Sequence, residues 1–410
     1  MNRSILARSS AVLVAAVALA LVVSSCATDG ESTQGGSVAS VVHGASQVTI
    51  TLANKGGSDV CTLSRARAKA GPVTFTVKNE SSTAISEVEL LSGERILGEK
   101  ENLAPGLGAV SFTVTLTGGK YQVFCPGASK QLMGLTVTGK TATVTVTNSI
   151  TGALGAGIKG YAAYVTQEIT NMISATNALK TAVEIGDLPA AQKAYALARP
   201  YYERVESDVD GFILPGFGAT DNAGNLDYLI DMRASNLDPA VGWHGFHAVE
   251  RDLFEKKSIT PSTQQLASEL ATNVQKLDAL TTSLSYKPED LANGASDLLE
   301  EVQSSKITGE EESYSHIDLV DIAANVEGAQ QAFAYLRPGL TKIDTTLTKA
   351  IVTQFAAVNT LLDKYKDSTA LGGYLSYSAA LRASDGPTLS ASVEALHENL
   401  ARIAAKVATA

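Results

Sequence analysis

Trp243 to Phe254 reads W-H-G-F-H-A-V-E-R-D-L-F and sets His244, His247 and Glu250 at steps of three residues. The spacing predicts a helix with all three side chains on one face. Residues at i and i+3 of a helix have Cβ atoms roughly 5 to 6 Å apart, so an imidazole and a carboxylate there can share one metal ion. H-x-x-E is therefore a candidate metal clamp. The same pair also suits a solvated helix surface, so the surrounding chain has to decide between the two readings.

Working outward, the chain is helical on both sides. From residue 158 to 410, Ala, Leu, Glu, Lys and Gln dominate, and apolar residues recur at spacings of three and four, as in Ile158, Tyr161, Val165, Ile169 and Met172. Breakers at Gly186, Pro200, Pro261, Pro288, Pro338 and Gly372-Gly373 divide this region into segments of ordinary helix length, and a large all-α helical bundle is expected. Three stretches carry polar groups that a helical core does not ordinarily accept. They are Arg199-Pro200-Tyr201-Tyr202-Glu203-Arg204-Val205-Glu206, Tyr228-Leu229-Ile230-Asp231-Met232-Arg233, and Tyr314-Ser315-His316-Ile317-Asp318 with Asp321 to Gly328 beyond it. Carboxylates and histidines turned inward from facing helices make metal sites in bundles. Ser315 and Asp318 also have the S-x-x-D spacing of a helix capping box, which leaves His316 either behind the ligands or at the surface.

Residues 47–138 have another character. Short alternating runs at Val48–Leu52, Val73–Val77, Ile85–Leu91, Val110–Leu116, Lys120–Phe124 and Gly134–Val137 are separated by Gly, Pro and Asn, which predicts a β-sandwich. Phe124-Cys125-Pro126-Gly127 followed by Met133-Gly134 resembles the cupredoxin pattern, in which a Cys ends one strand and a Met precedes the last. No His lies between Gln47 and Thr138, and Cys61 stands where the first His is expected, so a blue-copper electron-transfer centre is not expected. Cys61 and Cys125 then have two readings: a disulfide, or a mixed thiolate and carboxylate cation site with Glu87 or Glu89. Alternation puts Glu87 and Glu89 on one face of their strand. Glu99 and Glu101 read equally as plain surface charge. Residues 139–157 read as a connector, with a short strand expected at Thr141 to Thr147.

At the N-terminus, Arg3 and Arg8 precede an apolar run from Ala11 to Val23 and then Ser24-Ser25-Cys26. Residues 1–26 read as a lipoprotein signal segment, too short for a comfortable membrane span, with Cys26 as the acylated residue. Residues 27–46 are rich in Ser, Gly and Thr and read as a flexible linker. The expected location is extracytoplasmic, lipid-anchored to a bacterial cell membrane. With 32 basic against 42 acidic residues the chain has a formal net charge of −10, which argues against nucleic acid as a partner.

Taken together, R-x-x-Y-E-R-V-E, I-D-M-R, G-F-H-A-V-E-R-D-L and Y-S-H-I-D-L-V-D-I-A-A-N-V-E-G-A resemble the imelysin-like proteins. With the cupredoxin-like domain and its E-K-E-N-L-A-P-G in front, the chain looks like the EfeO type of iron-uptake protein. The fold this implies is multidomain: an N-terminal cupredoxin-like β-sandwich followed by an all-α imelysin-like helical bundle. The resemblance implies a bundle metal site of Glu203, Asp231, His247 and Glu250, with Glu206 and Asp227 as substitutes because the segment before Asp231 is longer here; His244, an extra imidazole beside the motif, reads as a substitute ligand or a surface residue. It also implies a non-catalytic role in iron capture, with an EfeU-like iron permease and an EfeB-like haem peroxidase as partners. Such a set of hard donors suits Fe3+ or Fe2+, and also Zn2+ or Cu2+. The competing reading is an imelysin-like metallopeptidase, but the chain has no H-E-x-x-H.

Overall fold

The computed structural model describes residues 37–93, 95–140, 149–282 and 284–410; Cys26 and the strand expected at Thr141 to Thr147 lie outside them. The strands are β1 (Val41–Val42), β2 (Ala45–Lys55), β3 (Ser58–Leu63), β4 (Arg67–Lys69), β5 (Gly71–Asn79), β6 (Val88–Ser92), β7 (Arg95–Lys100), β8 (Val110–Leu116), β9 (Gly119–Phe124) and β10 (Leu132–Thr138). One sheet has the order β1-β2-β5-β8 with β3 also paired to β2, and the other has β4-β10-β9-β6-β7. Every second residue of β2 (Val48, Ile50, Leu52) is buried, as the period of a half-covered strand requires. These residues share one core with Val123, Leu135 and Val137 of the second sheet, and Phe75 stacks on its cross-strand partner Phe112 at 5.0 Å between centroids.

Cys61 on β3 and Cys125 just after β9 form a disulfide, with Cα atoms 6.4 Å apart, so the bond ties the two sheets together. With both sulfurs engaged, neither cysteine is free to act as a thiolate ligand, and of the two sequence readings the structure has the disulfide. Other elements depart from the sequence reading. β1 and the start of β2 fall inside the expected linker, and Glu87 precedes β6 rather than lying within it. The first helix begins at Ser149, inside the expected connector.

That helix, α1 (Ser149–Ile185), buries Tyr161, Val165, Ile169 and Met172, the stripe the sequence carries. It packs against α2 (Leu188–Glu203), and both α6 (Pro261–Thr281) and α8 (Asp318–Ile343) also lie against it. Between α2 and α6 come three short helices, α3 (Glu206–Val209), α4 (Leu226–Asp231) and α5 (Gly245–Glu250). The remaining helices are α7 (Pro288–Glu301), which packs on α8, then α9 (Thr345–Leu362), α10 (Ala379–Leu400) and α11 (Ala404–Ala408).

The sandwich is docked onto the bundle by specific polar contacts. Asn293 on α7 donates to the Thr113 carbonyl at 2.7 Å, Lys287 reaches the Thr115 carbonyl, and Lys100 pairs with Asp297 and, at 2.7 Å, with Glu300. The Arg95 guanidinium lies 5.1 Å from the centroid of the Phe212 ring, and α11 packs on β8.

Candidate metal centre

Five short pieces of chain converge inside the bundle. On α2, Arg199 and Glu203 are one turn apart and both fully buried. α4 is capped by Asn225, whose side-chain oxygen accepts from the Asp227 amide at 2.9 Å, and ends at Asp231. α5 then packs tightly on the end of α4. Gly245 has φ +77°, and a Cβ there would collide with the Ile230 carbonyl, so only glycine allows the approach that brings His247 beside Asp231. His247 and Glu250 are 1% and 0% exposed. α5 runs directly into a π-helical turn, Arg251–Glu255, and α7 into another, Val302–Lys306. Such bulges commonly mark functional sites because they re-aim side chains that a regular helix would stack. The fifth piece is the loop carrying Glu311 and Glu312.

His247 is the pivot. Its Nδ1 lies 3.1 Å from Glu250 Oε2, while Nε2 lies 3.3 Å from Glu311 Oε1 and 3.6 Å from Asp231 Oδ1. Two groups of potential ligand atoms result, Asp231–His247–Glu311 and His247–Glu250–Glu312, each within 4.8 Å. The second oxygen of Glu250 accepts from the Tyr314 and Ser315 amides at 2.8 and 2.7 Å, and Tyr195 donates to Glu312 at 2.9 Å. Arg199 pairs with Glu203 and Asp231 and approaches Glu312 at 2.9 Å, Glu311 at 3.2 Å and Asp321 at 3.3 Å. The carboxylates outnumber the positive charges of Arg199, Lys306 and a protonated His247. Asp318 Oδ2 and Asp321 Oδ1 have no hydrogen-bond partner among the described residues. Buried acceptors left without donors are costly, and a cation satisfies them.

The electrostatics follow from burial and neighbours. Burial disfavours charge on His247, yet Asp231, Glu250 and Glu311 raise its pKa to about 10. Burial raises Asp231 to about 7, with Arg199 and His247 pulling the other way, and it also lifts Glu312 and Asp321 well above the carboxylate range. Glu311 is the exception: against the pull of burial, Lys306 and Arg233 hold it well below that range. The cage thus contains an ionised carboxylate beside an imidazole, a hard oxygen-rich donor set of the kind that suits iron, manganese or zinc.

Of the residues expected from sequence, Asp231, His247 and Glu250 lie around one imidazole, Asp231 on the Nε2 side and Glu250 on the Nδ1 side. Glu203 lies across the Arg199 guanidinium from Asp231. Glu206 and Asp227 face a cleft outside the cage, and His244 pairs at 3.1 Å with Glu269 on the outer side of α6. The expected capping box does not form. Asp318 accepts from the Glu312 amide at 3.2 Å, Ser315 donates to Glu312, and His316 is exposed. Glu311, Glu312, Arg199 and Lys306 were missed as site residues. The visible signals were the run Glu310-Glu311-Glu312 and the i, i+4 step from Arg199 to Glu203. In the sandwich, Glu87, Glu89 and Glu99 form a third convergent group, so Glu99 is not plain surface charge; burial raises all three above the usual carboxylate range.

Fold and site define a class: a helical bundle with a carboxylate and imidazole cage, preceded by a cupredoxin-like sandwich. Residues 157–403 match the profile of the imelysin family and residues 13–137 that of the cupredoxin-like domain. The chain belongs to the imelysin family, to its EfeO type in which the cupredoxin-like domain comes first. It is 34% identical over 360 residues to the iron uptake system component EfeO of Escherichia coli (strain K12), covering 87% of this chain and 90% of that one. The protein of the same name in Shigella flexneri matches with the same values. Among solved structures, a reduced rusticyanin matches 23% of this chain and 79% of its own at 14% identity, with a TM-score of 0.18.

Proposed function

We propose that this protein captures iron in the bundle cage and delivers it to a membrane permease of an EfeU type, working outside the cytoplasm as a lipoprotein acylated at Cys26, with a haem peroxidase of the EfeB type in the same system. The observation that carries the reading is the buried His247, with carboxylates at both ring nitrogens, in a chain whose relatives of nearly full length are named iron uptake components. The disulfide accords with an oxidising compartment. Iron is the cargo; Asp231, His247, Glu250 and Glu311 are the residues that hold it, with Glu203 joining if Arg199 withdraws. The Glu87, Glu89 and Glu99 group is a second, weaker cation site.

The role is one of binding rather than catalysis. Two backbone amides fix Glu250 through one oxygen while the other faces His247, which sets the pair side by side as ligands, and the chain lacks the H-E-x-x-H arrangement that holds a peptidase's zinc and base on one helix. The test is iron accumulation by cells whose only copy carries His247→Ala or Glu250→Ala. Both variants are expected to lower uptake toward that of cells lacking the protein; uptake equal to wild type in both would refute the reading.

A further inference from the structure

The cage residues are almost wholly shielded from solvent, so a metal ion needs a way in. A cavity of about 80 Å3 lies at the junction of the domains, lined by Glu99 and Glu101 of the sandwich and by Glu206, Asp227, Arg233 and Glu301 of the bundle. Behind Glu206 and Glu301 of that lining sits Lys306, which has no exposed surface and whose Nζ makes no hydrogen bond among the described residues. That ammonium sits instead within ion-pair range of four carboxylates. Glu206 at 3.5 Å and Glu301 at 3.9 Å face the cleft, while Glu203 at 3.2 Å and Glu311 at 3.6 Å face the cage. Arg233 bridges the same boundary, pairing with Glu301 on one side and with Glu311 at 3.3 Å on the other.

We propose that divalent cations reach the cage through this interdomain cleft, passing from carboxylates of both domains to the cage at the point held by Lys306 and Arg233. The proposal rests on the cage being a metal site. A divalent ion carries the same charge as these two side chains together, so it can stand in for both while they swing aside, without leaving buried carboxylates uncompensated. The sandwich then has a mechanical part in the bundle's chemistry, because Glu99 and Glu101 form one wall of the approach. The groove on another face of the bundle, floored by Pro200, Val320 and Ala323 and edged by Arg204 and Lys366, has one carboxylate in its lining, Glu327, and that one is paired with Arg204 at 2.9 Å.

The test is anaerobic stopped-flow loading of the full chain with Fe(II), followed by the fluorescence of Trp243, the chain's one tryptophan, with release measured by chelator chase. Glu101→Lys puts a positive charge in the cleft and Glu327→Lys puts one at the other groove; Glu101→Gln is the milder variant should the charge reversal fail to fold. Focused charge changes association rates by ~10-fold or more, so Glu101→Lys is expected to slow loading and release together by about that factor, with little change in Kd. Glu327→Lys is expected to leave both rates as in wild type. Unchanged rates in both Glu101 variants, slowing confined to Glu327→Lys, or a weaker Kd with release unaffected would each overturn the route. A wild-type protein with no His247-dependent uptake is a different result, which overturns the cage reading itself.

Discussion

At the scale of single residues the metal-free cage is held by Arg199. Removing a buried partner from an ion-pair network costs roughly 3–5 kcal/mol because the remaining charges stay buried and uncompensated. Arg199→Met is therefore expected to lower stability to denaturant by about that amount, and iron is expected to recover a large part of it. A loss under about 1 kcal/mol by urea titration would mean that the carboxylates are neutral in the absence of metal. The cage also predicts a pH dependence. His247 rises from 6.5 in the unfolded chain to about 10 when folded, and Asp231 from 3.8 to about 7. A raised pKa contributes stability that is complete below the unfolded value and lost as pH climbs through the folded one. Thermal midpoints of the metal-free protein are thus expected to fall steadily between about pH 5 and about pH 9, while iron binding tightens as the imidazole loses its proton. A midpoint that rises over that range would contradict the ion pairs assigned to His247.

At the scale of elements, the precision of the site depends on how α5 meets α4. Gly245→Ala strains a left-handed backbone by roughly 1–3 kcal/mol and forces the two helices apart. Its expected effect is a matching loss in urea stability together with weaker iron binding, although position 245 carries no ligand; native affinity in this variant would remove Gly245 from the account. Much at this scale was legible in the sequence. The stripe from Tyr161 to Met172 is the buried face of α1, and the alternation at Val48–Leu52 is the core face of β2. What escaped did so for physical reasons. β4 is three residues long and takes its hydrogen bonds from a partner distant in sequence, and β7 carries Gly98, Glu99 and Lys100, which no local propensity would assign to a strand. Glu311 and Glu312 belong to a loop, where a run of acids ordinarily reads as solvated. Only packing against Arg199, Lys306 and His247 makes them interior groups, and the π turn that carries Lys306 has no sequence signature.

At the scale of the whole molecule, two domains with separate cores are joined by polar contacts that leave an acidic cleft between them. The sandwich keeps the sheets of a cupredoxin-like domain, and its two cysteines are joined in a disulfide, which leaves neither as a thiolate. The central claim is that the cage around His247 is the iron site of the molecule. It is tested most directly by calorimetric titration of the purified protein with Fe(II) under anaerobic conditions and with Fe(III)-citrate in air, beside His247→Ala. A tight iron isotherm in the wild type, weakened by ~100-fold or more in a variant that remains folded, is the predicted result, since loss of even an outer partner of a metal ligand costs 10- to 100-fold. The same isotherm in both proteins would contradict it and move the iron site out of the bundle.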